Sequence, residues 1–130
     1  MNLKAKGTNA ERELIKLFWN TNKWSAHRIA GSGSSHFPSP DVIAGNSLRK
    51  LAIECKSTKS IKQYIESEQI NGLKEFSKIF GAEPWIAVRF NNMDWFFLTL
   101  EDLKETEGNN FVISIPLAKN KGLSFEQLIQ

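Results

Sequence analysis

Cysteine is almost missing from this chain: Cys55 is the one thiol in 130 residues. A single thiol closes no internal disulfide, so a reducing, cytoplasmic compartment is expected. Long apolar runs are missing too. Nothing approaches the roughly 18 consecutive apolar residues of a membrane-spanning helix, so no membrane partner is expected. Lys4 and Lys6 near the N-terminus are followed by no apolar stretch, so no secretory signal is expected either. Internal repeats, low-complexity tracts and a linker-like shift of composition are all absent, and residues 1–130 read as one domain. Charge of one sign is also in short supply. Against 17 Lys+Arg stand 14 Asp+Glu, a net +3 that by itself implies no polyanionic partner.

What the chain does have is a globular composition, 41% apolar and 24% charged, at a length that buries a core without staples. Its charge is unevenly spread. Residues 1–62 hold eleven Lys/Arg and four acids, a net +7, leaving six Lys/Arg and ten acids, a net −4, in residues 63–130. A basic half joined to an acidic half points to one side that meets a polyanion. The acids of the basic half are Glu11, Glu13, Asp41 and Glu54.

A first helix is expected over residues 9–22, with Thr8 as N-cap and Thr8-x-x-Glu11 as a capping box. Leu14, Ile15 and Phe18 recur at helical spacing and define its buried stripe. Glu11 lies within roughly 60° of that stripe and faces inward, whereas Arg12, Glu13 and Lys16 fall on the other side. A short strand at 24–29 leads into a Gly/Ser/Pro loop at 30–40. Strand 41–44, a turn at 45–47 and strand 49–56 then read as a hairpin. In the second strand Leu51, Ile53 and Cys55 share the packed face; Ala52, Glu54 and Lys56 share the other. A second helix follows at 67–80, stopped by Gly81. Strands at 85–91 and 94–100, a strand at 111–115 and a short helix at 124–129 complete an α/β domain with a central mixed sheet flanked by helices.

Asp41 opens one strand of the hairpin, and Glu54 and Lys56 share a face of its partner. Two carboxylates brought together offer hard oxygen ligands that suit Mg²⁺, which keeps waters and borrows phosphate oxygens. Such an ion polarises a phosphodiester and lowers the pKa of a bound water. Lys56 would then hold or deprotonate that water and offset charge building on the phosphate. A lone Glu-x-Lys triplet is common on solvated strands. Here Pro40-Asp41 precedes it by one hairpin length, and Glu11 points inward from a helix, where it caps the helix, joins the site or does both.

Pro40-Asp41…Glu54-Cys55-Lys56 resembles the PD…(D/E)xK signature of the restriction-endonuclease-like nucleases. Within them, Lys6-Gly7-x-x-Ala10-Glu11-Arg12-Glu13-Leu14, Arg28-Ile-Ala-Gly-Ser32 and Phe76-Ser77-x-x-Phe80-Gly81 are similar to the archaeal Holliday junction resolvases. The resemblance implies a restriction-endonuclease-like core and a structure-selective endonuclease that makes paired, Mg²⁺-dependent nicks in opposed strands of a four-way DNA junction, with Mn²⁺ able to substitute. It implies a metal site of Glu11, Asp41 and Glu54, a transition-state lysine at Lys56 and a catalytic loop serine at Ser32. It further implies a homodimer working in DNA recombination and repair on the nucleoid, with other recombination or replication proteins as further partners. Another repair or restriction-type nuclease, and a non-catalytic DNA-binding module of the same fold, stand as alternatives.

Around this set, Lys4, Lys6, Arg12, Arg28, Lys59 and Lys62 are concentrated near the acids and are expected to meet phosphates, as is Ser32, with binding that weakens steeply as salt rises. No recognition-helix pattern appears, so structure rather than base sequence is the expected target. His36, alone in a Ser/Pro loop, suits a backbone or phosphate contact better than catalysis. Nine Phe and four Trp exceed what a small core needs, and Leu73, Phe76 and Phe80 are expected at a two-fold interface. Cys55 reads as a small core residue.

Overall fold

The computed structural model describes residues 3–31 and 36–130. Helix α1 spans Leu3–Asn20, starting well before the expected residue 9. Leu3, Lys4, Ala5 and Lys6 are good helix formers, and Gly7 costs only ~1 kcal/mol in a helix interior, so the helix runs on through Thr8. Thr8 is therefore interior and caps nothing. Strands β1 (Ser25–Arg28), β2 (Val42–Gly45) and β3 (Lys50–Thr58) follow, then β4 (Lys62–Ile65) and α2 (Ser67–Phe80). After α2 come β5 (Glu83–Phe90), β6 (Phe96–Leu98), a 3₁₀ turn (Leu100–Asp102), β7 (Lys104–Glu105) and β8 (Phe111–Ser114). Helices α3 (Ile115–Lys121) and α4 (Phe125–Leu128) end the chain.

The central sheet has the order β1-β2-β3-β5-β6. Strands β3 and β5 run parallel, Glu54 opposite Ile86, and every other pair in this sheet is antiparallel. A parallel pair needs a long crossover, which β4 and α2 supply. The expected mixed sheet flanked by helices is what forms. Helix α2 keeps its expected bounds and stops at Gly81, whose φ of 80° suits glycine.

Two features fall outside the sequence reading. A small antiparallel sheet, β4-β8-β7, is built from segments of two to four residues, too short for alternation to register. Helix α3 begins where the last strand was expected to continue. Its start is marked by Ser114, whose side chain accepts from the Leu117 N–H at 3.1 Å, and by Pro116 in the first turn.

The core has two layers divided by the central sheet. On the α1 side lie Leu14, Phe18, Trp24, Leu51, Ile53, Ala87 and Phe97. On the α2 side lie Ala52, Ile70, Leu73, Ile86, Val88 and Leu98. Strand β3 is thus packed on both faces in its first half, because α2 covers the face expected to be open. Side-chain alternation continues unchanged, and Glu54, two residues beyond buried Ala52, emerges on the α2 side.

Candidate active site

Asp41 stands just before β2 begins, and the sheet itself fixes it. Its N–H donates to the Ile53 carbonyl at 3.0 Å, and its carbonyl accepts from the Ile29 N–H at 2.9 Å. Its carboxylate Oδ2 then accepts from the Cys55 N–H at 2.8 Å. The side chain takes the place of the next main-chain acceptor along β3. A neutral apolar residue there would leave the Cys55 N–H without this partner.

Glu54 is 9% exposed and faces a cavity of about 550 Å³ that Glu11, Asp41, Lys56 and Gln69 also line. The Lys56 ammonium stands 3.5 Å from Glu54 Oε2. Burial first, then the neighbouring Asp41 charge, pushes the Glu54 carboxyl up to about 8, against the pull of Lys56. The carboxyls of Glu54 and Asp41 are close enough to share a hydrogen bond. Two crowded carboxylates, one desolvated, are a donor set that a hard divalent cation would relieve. The residues present fit such an ion.

Glu11 faces inward from α1 and lines the cavity; its Oε1 accepts from Arg28 Nε at 2.8 Å, and Arg28 Nη2 also donates to Thr8 Oγ1 at 3.4 Å. Burial and Asp41 raise the Glu11 carboxyl while Arg28 lowers it. Among the described residues no three His, Cys, Asp or Glu side chains are gathered closely enough to hold a metal ion. The three expected carboxylates line the same cavity: Asp41 and Glu54 pair, and Glu11 is held by Arg28. By the same contact Arg28 is tied to α1.

The remaining expected residues scatter. Ser32 lies outside the described residues. Lys4 and Lys6 are in the first turns of α1, their side chains outside the described part. Arg12, Lys59 and Lys62 are exposed, the last two just past the end of β3. His36 is exposed and lines the cavity beside Phe37, with Pro38 packing next to Gly72 of α2. Leu73 is only 3% exposed and belongs to the core, leaving it no surface for a partner. Phe76 and Phe80 stack at 5.1 Å, and Phe80 with Ile79 keeps an apolar surface on the outer side of α2. Cys55 packs against the α1-side core, and burial raises its thiol well above the ordinary range, as expected of an inert residue. Glu13, expected on the side of α1 away from the buried stripe, pairs with Arg89 and accepts from Trp95 Nε1 at 3.1 Å, tying α1 to the β5–β6 end.

The sequence reading missed Gln69. Its Nε2 donates to Glu54 Oε2 at 3.3 Å from the first turn of α2. Nothing in local spacing links residues 54 and 69; only the crossover brings them together.

Comparison with known proteins agrees with this architecture. Residues 2–130 match the family described as "Archaeal holliday junction resolvase (hjc)". Crossover junction endodeoxyribonuclease Hjc of Archaeoglobus fulgidus is 39% identical over 107 residues, 82% of this chain and 78% of the relative. The protein of that name from Sulfolobus acidocaldarius is 35% identical over 132 residues, 100% of this chain and 90% of the relative. A crystal structure of Archaeoglobus fulgidus Hjc, described as a Holliday junction resolvase from an archaeal hyperthermophile, superposes with a TM-score of 0.86 at 35% identity, covering 93% of this chain and 96% of that one. The expected family and the expected fold class are both borne out. With residues 2–130 matched and relatives 35% and 39% identical, the chain belongs to the archaeal Holliday junction resolvase family.

Proposed function

We propose that this chain is an endonuclease that resolves four-way DNA junctions by paired nicks in opposed strands, acting as a homodimer with Mg²⁺ at Asp41 and Glu54 and with Mn²⁺ able to replace it. The observation that carries the reading is the convergence of Asp41, Glu54 and Lys56 on one cavity in a chain of this family. Nuclease chemistry of this family calls for a divalent metal ion. When bound, such an ion activates water and neutralises charge on the scissile phosphate.

The chain's own residues do the rest. Asp41 and Glu54 present carboxylate oxygens from two adjacent strands, held by the sheet rather than by flexible loops. Lys56, on the same face of β3 as Glu54, offsets negative charge as it develops on the phosphate. Exposed Arg12, Lys59 and Lys62 supply phosphate contacts that read backbone shape rather than base identity. Two copies related by a two-fold axis present two such cavities, as symmetric cutting requires. The stacked Phe76/Phe80 face of α2, extended by Ile79, supports an interface there.

The test is cleavage of a labelled four-way junction and a matched linear duplex, with Mg²⁺ or with chelator. Paired nicks on the junction, absent with chelator, are expected, and Asp41→Ala or Glu54→Ala should lower cutting ~10³-fold or more without weakening junction binding. Equal cutting of both DNAs would make the chain a general nuclease. No paired nicks would overturn the reading.

A further inference from the structure

The catalytic chemistry just described gives no role to Gln69, one of the side chains that line the cavity. Gln69 enters from α2, the far wall from the hairpin that carries Asp41 and Glu54, and donates from Nε2 to Glu54 Oε2 at 3.3 Å. The Lys56 ammonium approaches the same oxygen at 3.5 Å. Two donors on Oε2 fix the plane of the carboxylate. They also use the lone pairs of that oxygen and leave Oε1 as the oxygen available to a shared cation. The two donors differ in what they can do. Lys56 is two residues away on the same strand, on a flexible stem, and has a phosphate to meet. Gln69 is anchored on a helix whose neighbouring residues Ile70 and Leu73 are buried in the α2-side core, so its position is set by packing.

We infer that Gln69 is a positioning residue: it orients the Glu54 carboxylate from α2 so that, with Asp41, it forms a ready divalent-cation site before DNA arrives. The assignment rests on the proposed metal-dependent function, and it adds α2 to the elements that build the site. A ligand held in place from two sides loses less freedom when the ion binds. Removing one side should therefore weaken the ion and leave the chemistry of the loaded site intact.

The measurement is Mn²⁺ uptake by the DNA-free protein, followed through the loss of the free-ion electron paramagnetic resonance signal. Gln69→Leu, which keeps the bulk and removes the donor, should weaken Mn²⁺ binding about tenfold, a change of roughly 1.4 kcal/mol. The metal concentration for half-maximal junction cleavage should rise by the same factor while the rate at saturating metal stays near that of the parent. Metal-free melting temperature and junction affinity in chelator should not move. Unchanged Mn²⁺ affinity overturns the assignment. So does a fall in metal-free melting temperature matching the loss of affinity, which would make Gln69 a packing residue. A lower rate at saturating metal with unchanged affinity would place Gln69 at the reacting atoms and overturns it as well. Because the uptake arm contains no DNA, a parent protein that binds Mn²⁺ but cuts no junction would refute the junction reading alone. A parent that binds no divalent ion would refute both.

Discussion

The Lys56 ammonium is held beside Glu54 and faces the cavity, where its charge acts on whatever anion forms there. Lys56→Met keeps the apolar stem and removes the charge. Junction cleavage should fall ~10²–10³-fold, the range for deleting one transition-state donor, with gel-shift affinity in chelator essentially unchanged. A loss of affinity as large as the loss of rate would make Lys56 a phosphate anchor. This residue, like Asp41 and Glu54, was legible in the sequence because strand alternation alone assigns its face. Arg28 and Gln69 were not legible as partners. Their contacts span 17 and 15 residues and depend on how α1 and α2 lie on the sheet, which no local pattern encodes. The inward direction of Glu11 was readable from helical spacing. The partner that holds it there was not.

At the scale of elements, the far end of β3 is secured by Arg49, just before the strand begins. Its Nε and Nη2 grip both oxygens of Glu83 at 2.8 Å, and its Nη1 donates to the Leu128 carbonyl at 2.6 Å. The guanidinium also lies over Trp24, 5.5 Å from the ring centre. One side chain thereby joins β3, β5 and α4. Arg49 holds the Glu83 carboxyl below its ordinary 4.5. The stabilisation is complete above that value and is lost as pH falls through the lower, folded-state value. Both groups are partly solvated, so Arg49→Ala should cost only ~1–2 kcal/mol in urea unfolding near neutral pH. The difference from the parent should shrink on acidification below pH 4.5; a constant difference would mean that packing on Trp24 carries the effect. Long elements with clean periodicity, α2 above all, were readable in advance. Helix α1 overran its expected start because a capping box inside a run of helix formers looks the same as one at a true terminus. Strands β4 and β7 are held by tertiary pairing, not by their own sequences.

At the scale of the molecule, the +7 half is not one surface. Lys59 and Lys62 lie past the cavity end of β3, whereas Arg49 and Lys50 lie at its opposite end, roughly 13–16 Å along the strand from Glu54, engaged with Glu83 and Phe80. Charge counts located the basic half but not its faces. The apolar surface of α2 carries a prediction of this scale: Ile79→Glu with Phe80→Ser should shift the protein to monomer in sedimentation and turn paired junction nicks into single ones. A dimer that persists would remove this face from the interface. Asp41 has the widest consequence, because its N–H, its carbonyl and its carboxylate are all spent on neighbouring strands. Closing the β2–β3 hairpin and setting this ligand are then one event, completed when the chain folds. Unlike a zinc finger, whose fold waits for its ion, this ligand is set by strand pairing. Chelator is therefore expected to stop cleavage without unfolding the chain, and returning the cation to restore cleavage without a refolding step.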